Sequence, residues 1–350
     1  MGVFLGNGAP ANAGENVLEA LKIDADIWAR RLTSREILAG ALSELDVVVF
    51  PGGSGSRQQN DMGALVVAKL DHFVREEGKG VVGICAGAYL LSDTPEFACL
   101  RMCVVSGVDL EHDERGHGLV ALSLTDAGRA LFPELSGTAT PYVYYYEGPL
   151  LVPAASGAAF QALATFQTDI HLENGAPAGL MPGKAALVAA DVGKGRVVLS
   201  AGHPEATPGM RWLVPRVVTW AARRPIVPYN DAVVRPGINQ HEILFDEPLR
   251  KEEAALFKKL LYATTADKVQ AIARLVEIRS WDAPRWIVGC LRSGDPAVRR
   301  AAAAALVELE TTWALPDVNG VLAVEQDRET QSALTQAAAR LTAMTPGGDR

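Results

Sequence analysis

Residues 80–91 constrain the fold more than any other stretch of the chain. The apolar, partly β-branched run Gly80-Val-Val-Gly-Ile leads directly into Cys85, and an alanine- and leucine-rich helical run follows. Gly83 and Gly87 flank the cysteine two positions away on either side, which gives the pattern G-x-C-x-G. This layout is typical of a nucleophile elbow, a sharp strand-to-helix turn whose small neighbours let the backbone pass close by.

A cysteine at such a turn has its sulfur at the N-terminus of a helix. Free N–H groups and the helix dipole favour the thiolate there, so Cys85 is a candidate nucleophile for attack on a carbonyl carbon. The alternative interpretation is structural, because a small cysteine is also common in a buried parallel strand.

Composition limits the classes of protein that this chain can belong to. With 350 residues, 49% of them hydrophobic and 21% charged, it has room for one α/β domain and a smaller second one. The net charge of −8 and the lack of a long basic run argue against nucleic acid or an anionic membrane as the main partner.

The cysteines indicate a reducing compartment. Cys85, Cys99, Cys103 and Cys290 form neither a paired zinc pattern nor a dense disulfide framework, so no metal site is predicted. No run of 18 apolar residues and no charged leader region appears, so we expect a soluble cytoplasmic protein. Because the first strand starts almost at Met1, a leader upstream of this sequence is left open.

The first 225 residues alternate strand-like and helix-like runs, the βαβ pattern of a mostly parallel sheet with helices on both faces. The predicted strands and helices here are strands over 2–6, 27–32 and 45–50 and helices over 14–22, 34–42 and 62–77. The strand over 45–50 is continuously apolar, as expected for burial on both faces.

A glycine-rich loop, Pro51-Gly52-Gly53-Ser54-Gly55-Ser56, follows that strand. It lacks the motifs of a P-loop and of a dinucleotide site, so no cofactor is predicted. A plain tight turn is one interpretation. We favour another, in which the loop supplies backbone N–H donors to an oxyanion beside Cys85, because consecutive parallel strands end at the same sheet edge.

The segment from Cys99 to Pro149 is predicted as short β pieces and turns. Its aromatic run, Tyr142-Val-Tyr-Tyr-Tyr146-Glu147, suits a half-buried strand, and Tyr146 and Glu147 are candidates for the wall of a pocket. Ser54 and Gly52 are candidates for the same pocket.

One histidine has a partner that makes it stand out. A predicted strand pair, 184–190 and 195–200, runs into Gly202-His203-Pro204-Glu205. In an extended segment both side chains point to one side, so Glu205 could orient the imidazole while His203 deprotonates a thiol. A simple turn histidine before a proline is the alternative.

These residues together resemble the class I glutamine amidotransferase-like superfamily. Phe50-Pro-Gly-Gly53, Gly83-Ile-Cys-Ala-Gly-Ala-Tyr89 and Tyr146-Glu-Gly-Pro149 are most similar to the domain named for the N-terminus of some biotin–protein ligases, over about residues 2–225. The resemblance implies a flavodoxin-like doubly wound sheet. It also implies Cys85 as nucleophile, His203 as base, Glu205 as its orienting residue, and an oxyanion hole at Gly53 and Ala86.

The sequence departs from related proteins at several places, one of which is Ala86, where the intracellular-protease-like branch often has a histidine. Glutaminase domains carry Gly-His-Gln after the nucleophile, where this chain has Gly87-Ala-Tyr89. The glycine- and arginine-rich adenylate loop of a biotin ligase does not occur, so biotin ligase activity is not expected.

After Pro225 the composition changes. Residues 226–250 are proline-rich and are predicted as a linker, and 251–345 as a small all-α domain. Ala271-Ile-Ala-Arg-Leu275, Ala302-Ala-Ala-Ala-Leu306 and Ala337-Ala-Ala-Arg-Leu341 recur along it, which resembles a HEAT-type repeat and suggests a protein partner. An ordinary helical extension is the alternative. Asp295 is predicted to cap the middle helix, with Pro296 at its first position.

Two function classes follow. The first is a cysteine-dependent hydrolase or amidotransferase that acts on an amide-type small molecule through a thioester. The second is a catalytically silent α/β module that binds a small molecule, with the helical repeats as its protein-binding part.

Overall fold

The computed structural model describes residues 1–109, 111–137, 140–155, 159–173 and 175–348. The chain divides into two compact units, Met1–Leu244 and Phe245–Asp349. The first is a mixed α/β unit, and the second is helical. Among the described residues, none of the helices combines the length and apolar character needed to cross a bilayer.

The strands all lie in the first unit. They are β1 (Gly2–Phe4), β2 (Arg30–Leu32), β3 (Val47–Phe50), β4 (Gly80–Ile84), β5 (Val105–Gly107), β6 (His117–Leu124), β7 (Tyr142–Tyr146), β8 (Leu151–Pro153), β9 (Gln161–Phe166), β10 (Ala185–Val192), β11 (Gly195–Ser200) and β12 (Ile243–Leu244).

The α-helices are divided between the units, with α1 to α6 in the first and α7 to α12 in the second. They are α1 (Ala11–Leu21), α2 (Ser34–Leu38), α3 (Gly55–Arg75), α4 (Ala86–Leu91), α5 (Asp126–Leu131), α6 (Leu213–Ala221), α7 (Glu247–Tyr262), α8 (Thr265–Glu277), α9 (Ala283–Cys290), α10 (Pro296–Glu308), α11 (Leu315–Leu322) and α12 (Arg328–Ala343).

One half of the sheet is parallel, with the order β2-β1-β3-β4-β11. Every residue of β3 and β4 is buried, which confirms the prediction that the strand ending at Phe50 is buried on both faces. In register, Phe50 pairs with Gly83 and Ser200 with Ile84, so β3, β4 and β11 end at one edge. This edge brings together the three predicted site segments.

The other half of the sheet is antiparallel. A tight turn at Gly193 and Lys194 joins β10 to β11, and the φ of 57° at Gly193 suits such a hairpin. β9, β6, β7 and β12 continue this half, and all their pairings are antiparallel. The sheet is therefore mixed, and three strands of its antiparallel part, β5, β6 and β7, come from the segment that was predicted only as short β pieces.

Helix α3 differs from its prediction. It begins at Gly55 instead of Met62, because the Ser54 hydroxyl accepts a hydrogen bond from the Arg57 N–H and caps it. Gly63, with a φ of 63°, interrupts it at an exposed position. The glycine-rich loop is thus shorter than the sequence suggested and ends directly in a helix.

The range predicted as a linker contains defined structure in both units. In the first unit Tyr229 donates a hydrogen bond to Asp24 at 2.8 Å, and β12 pairs with β6. In the second, α7 begins at Glu247, and the Asp246 side chain caps it. The boundary between the compact units lies after Leu244.

The helical unit is built from three consecutive helix pairs, α7 with α8, α9 with α10, and α11 with α12. The second helices of the pairs also pack in the order α8, α10, α12. The recurring sequence segments lie on these second helices, and their leucines, Leu275, Leu306 and Leu341, are fully buried. The predicted cap is confirmed, since Asp295 Oδ1 accepts a hydrogen bond from the Ala297 N–H at 2.8 Å.

Candidate active site at the carboxyl edge of the sheet

Cys85 lies in a strained turn between β4 and α4. Its φ of 53° and ψ of −111° are unusual for a residue with a side chain, and such strain is concentrated at functional sites. The Cys85 N–H donates to the Ser200 carbonyl at 2.8 Å, and its own carbonyl accepts from the Ala88 N–H at 2.9 Å. These bonds hold the strained residue in place.

The two glycines of the G-x-C-x-G pattern are required by close backbone contacts. A Cβ atom on Gly83 would lie 2.3 Å from the Gly87 carbonyl oxygen, and one on Gly87 would lie 2.0 Å from the Phe50 carbonyl oxygen. Neither position has room for a side chain, because the partner in each case is backbone. The turn therefore has the geometry that the sequence predicted for an elbow.

His203 and Glu205 form a buried pair just beyond β11. The exposed fractions of the two residues are 5% and 2%, and His203 Nδ1 lies 2.7 Å from Glu205 Oε1. The His203 N–H donates to the Tyr144 carbonyl at 2.7 Å and fixes the backbone. The connection is a 3₁₀ turn, Pro204–Ala206, instead of the extended segment that we expected.

The imidazole also lies near Cys85, whose negative charge acts on it. Gly52 lies against both, since a Cβ there would be 3.0 Å from His203 Cε1 and 3.6 Å from Cys85 Cβ. With Nδ1 bound to Glu205, Nε2 is the nitrogen left for the sulfur.

The electrostatic surroundings of His203 favour its protonated form. Burial by itself lowers the pKa of the imidazole, but negative charge on Cys85 and on Glu205, together with the hydrogen bond to Glu205, raises it well above the usual value. The Tyr146 carbonyl oxygen lies 3.4 Å from the Cys85 sulfur and can accept a hydrogen bond from the thiol.

The residues predicted to donate to an oxyanion differ in how close they lie to Cys85. The N–H groups of Gly53 and Ala86 donate no hydrogen bond to another described residue. Gly52 lies directly beside Cys85 and His203, whereas the α-carbon of Gly53 faces the Gly8 carbonyl. The Ser54 N–H is already bound to that carbonyl at 2.8 Å, so Ser54 contributes to the loop and to α3.

Gln58 was missed by the sequence analysis. It is fully buried, and its Nε2 donates to the Pro51 carbonyl at 3.2 Å, which fixes the peptide that carries the Gly52 N–H. Its Oε1 has no partner among the described residues. In the sequence, Gln58 stands three residues after Gly55, where α3 begins. The glycine-rich composition of this stretch led us to predict a loop there, so Gln58 was not recognised.

The two other predicted wall residues, Tyr146 and Glu147, adjoin the sulfur through the Tyr146 carbonyl. The Tyr146 ring stacks on His117 with centroids 4.5 Å apart. Glu147 has a φ of 55°, and burial followed by the charge of Asp113 raises the pKa of its carboxyl group.

A second histidine–carboxylate pair lies outside this site. His171 Nδ1 is 3.0 Å from Asp169 Oδ2, and His171 is 42% exposed. Within the described ranges, no group of three or more His, Cys, Asp or Glu side chains is arranged to hold a metal ion.

The first unit is thus an α/β module with a cysteine at a strand-to-helix elbow and a histidine–carboxylate pair beside it. The family model described as "Biotin-protein ligase, N terminal" matches residues 3–112 and 103–216, more than half of the chain. The chain belongs to this family. A comparison with curated proteins gives no match.

Several solved structures are weakly similar to this chain. SMU.1228c is 19% identical over 60% of this chain and 78% of its own, with a TM-score of 0.38. The cold-adapted beta-galactosidase from Rahnella sp. R3 is 12% identical over 64% of this chain and 31% of its own, with a TM-score of 0.42. Cytoplasmic protein STM1381 from Salmonella typhimurium LT2 is 14% identical over 63% of this chain and 96% of its own, with a TM-score of 0.38. Likenesses this weak say nothing about function.

Proposed function

We propose that this protein is a cysteine-dependent amide hydrolase or amidotransferase of the class I glutamine amidotransferase-like superfamily. Cys85 is the nucleophile, His203 the general base and acid, and Glu205 the orienting carboxylate. The observation that supports this most is the buried His203–Glu205 pair, 2.7 Å apart, which lies with Cys85 around Gly52, the cysteine being in a strained turn.

In the first half of the reaction the Cys85 thiolate attacks the carbonyl carbon of an amide. The oxyanion that forms accepts hydrogen bonds from backbone N–H groups of the Gly52–Gly53 loop and of Ala86. The imidazolium of His203 gives its Nε2 proton to the amide nitrogen, the C–N bond breaks, and an amine leaves a thioester behind.

In the second half His203, now neutral, takes a proton from water as the water oxygen attacks the thioester. The C–S bond breaks, the carboxylic acid leaves, and the thiolate–imidazolium pair is restored. Glu205 stabilises the imidazolium before the thiolate attacks and again after the carboxylic acid has left. Because this cycle needs a free thiol, a reducing compartment such as the cytoplasm suits it.

We propose a separate role for the helical unit. Three helix pairs with recurring buried leucines fit a short HEAT-like array, which would serve as a protein-interaction domain. The first unit, in this proposal, has a flavodoxin-like doubly wound core formed by its parallel strands.

Cysteine alkylation tests the nucleophile. With limiting iodoacetamide at pH 6.5, Cys85 should be modified first, because burial raises the pKa of Cys103 to about 12 and also raises the pKa of Cys290. Peptide mass spectrometry measures the rate at each cysteine. Faster modification of any other cysteine would contradict the elbow assignment.

Removing the imidazole tests the pair. Without the imidazole, Cys85 should behave as an ordinary thiol with a pKa of about 8.5, of which roughly 1% is thiolate at pH 6.5. The smaller thiolate fraction slows alkylation, but a more basic thiolate is a better nucleophile, which offsets part of the decrease in rate. We therefore expect His203→Ala to slow alkylation of Cys85 roughly tenfold. An unchanged rate would mean that His203 does not activate the sulfur.

Glu205→Gln tests the orienting carboxylate. Loss of its negative charge should lower the pKa of His203, so the imidazolium is lost at a lower pH than in the wild type. NMR titration of the histidine side chains measures this.

A glutamine-analogue chloroketone tests the substrate. Intact-mass measurement shows whether the reagent modifies Cys85. Modification indicates an enzyme that accepts glutamine, and no modification indicates a silent module or an enzyme with another substrate.

A further inference from the structure

The N–H groups of the glycine-rich loop differ in their access to water. Gly52 is buried, and its N–H donates to none of the described residues. Gly53 is exposed, so water can accept a hydrogen bond from its N–H. A buried N–H without an acceptor is rare in folded proteins, because it costs about as much as a lost hydrogen bond. The Gly52 N–H therefore needs an acceptor that the described part of the chain does not supply.

Gly52 lies where the proposed reaction requires such a donor. A Cβ atom on Gly52 would be 3.6 Å from Cys85 Cβ and 3.0 Å from His203 Cε1, so this residue adjoins both the nucleophile and the base. The Ala86 N–H, next to Cys85 in the chain, also lacks an acceptor among the residues that the structure describes. An oxyanion at the sulfur would supply an acceptor for both N–H groups.

Gln58 sets the orientation of the Gly52 N–H. Its side chain is fully buried, and its Nε2 donates to the Pro51 carbonyl at 3.2 Å. The Pro51 carbonyl and the Gly52 N–H belong to one planar trans peptide, in which the two groups point in opposite directions. Holding the carbonyl therefore holds the N–H. The hydrogen bond also polarises the peptide, which makes the N–H a stronger donor.

Stability alone does not explain a glutamine at this position. The amide satisfies one buried oxygen, that of Pro51, but its own Oε1 is buried without a partner in the described chain. An unsatisfied buried acceptor costs about as much stability as one neutral hydrogen bond contributes, so the exchange gains little. The specific effect of Gln58 is on the orientation of the peptide between Pro51 and Gly52.

We propose that Gln58 is a positioning residue for the reaction at Cys85. It holds the peptide between Pro51 and Gly52 so that the Gly52 N–H, together with that of Ala86, donates to the oxyanion. This inference rests on the proposed function. It also assigns the loop donor to Gly52 instead of Gly53, the residue that the family resemblance implied. Gln58 acts through the peptide and not on the reacting atoms.

Two thiol reagents separate stabilisation of the oxyanion from the reactivity of the sulfur. With p-nitrophenyl acetate, the Cys85 thiolate forms a C–S bond to the carbonyl carbon, the oxyanion collapses, the C–O bond breaks, and p-nitrophenolate leaves a thioester behind. With iodoacetamide, the thiolate displaces iodide and no oxyanion forms. The measured quantity is the ratio of the acylation rate to the alkylation rate. Release of p-nitrophenolate, corrected for release by Cys85→Ala, gives the first rate, and peptide mass spectrometry gives the second.

Gln58→Leu should lower this ratio about tenfold. The effect is smaller than the roughly 100- to 1,000-fold loss when an oxyanion donor is removed, because the Gly52 N–H is still present but no longer held. The matched control is Gln59→Leu, since the Gln59 Nε2 donates to the Cys99 carbonyl at 3.3 Å and not to the loop, and the ratio should stay unchanged. An unchanged ratio in Gln58→Leu, or an equal fall of both rates, would overturn the positioning role.

A second variant, Gln58→Glu, keeps the test decisive if Gln58→Leu is poorly folded. Burial raises the pKa of a carboxyl group, so at low pH the neutral acid donates to the Pro51 carbonyl in place of the amide. The ratio should then be close to the wild-type value at low pH and fall as the carboxylate forms. A ratio that follows the wild-type pH profile would contradict the inference. If Cys85→Ala releases p-nitrophenolate as fast as the wild type, the proposed function itself fails.

Discussion

The elbow around Cys85 and the helical unit are specified by different physical means. At the elbow, single contacts decide which residue is allowed, since Gly87 faces the Phe50 carbonyl with no space for one carbon atom. In the helical unit, Gly289 and Gly320 have nothing within 4 Å of an added Cβ, and stability comes from repeated burial of leucine and alanine. A functional turn tolerates almost no substitution, whereas a repeated packing pattern distributes its requirements.

The same substitution in both regions should show this difference most strongly. Gly87→Ala puts a Cβ 2.0 Å from backbone, so we expect it to destabilise the first unit by about 3 kcal/mol or more. Gly289→Ala, within α9, should instead stabilise the second unit by about 0.5 to 1 kcal/mol. Urea unfolding followed by hydrogen exchange of peptides from each unit separates the two effects.

This comparison fails if the two alanine variants have similar stability. Such a result would mean that the elbow relaxes around the new methyl group, and the tight contact between Gly87 and Phe50 would then not be what fixes the turn.

A buried leucine of the helical unit should give the next largest effect. Leu306 is fully buried in α10, and Leu306→Ala should cost about 3 kcal/mol, the usual range for removing such a side chain. The matched control is Leu261→Ala on α7, where the leucine is 50% exposed and a change within about 0.5 kcal/mol is expected.

Equal losses from Leu306→Ala and Leu261→Ala would show that burial in the second helix of each pair does not set the stability of this unit. In the wild type, α10 should exchange more slowly than α8 and α12, since it packs on both of them.

The sequence predicted the elbow well because its determinants are local. Two glycines, one cysteine and a buried β-branched strand lie within 12 residues, and the register of β3 with β4 follows from their order in a parallel sheet. The histidine–carboxylate pair was also found, although its 3₁₀ connection was not, because Pro204 suits both extended and 3₁₀ backbone.

What the sequence did not reveal depends on contacts distant in the chain. The antiparallel pairing of β6 with β9 and of β9 with β10 joins segments whose short apolar runs do not specify partners. The same holds for Gln58, since only the folded loop shows that its amide holds the Pro51 carbonyl.

The smallest predicted effect compares two aspartates at helix starts in the helical unit. Asp295 caps α10, with Oδ1 2.8 Å from the Ala297 nitrogen, whereas Asp282 precedes α9 without a capping hydrogen bond from its side chain. Asp295→Ala should therefore cost about 1 kcal/mol, since an N–H at the helix start loses its acceptor. Asp282→Ala removes a charge that acts unfavourably on Glu253 and should change stability by less than about 0.5 kcal/mol. Urea midpoints of the two variants at equal slope measure the difference. If Asp282→Ala proved as destabilising as Asp295→Ala, the helix dipole and not the individual hydrogen bond would be the main contribution of these aspartates, and both losses should then become smaller in high salt.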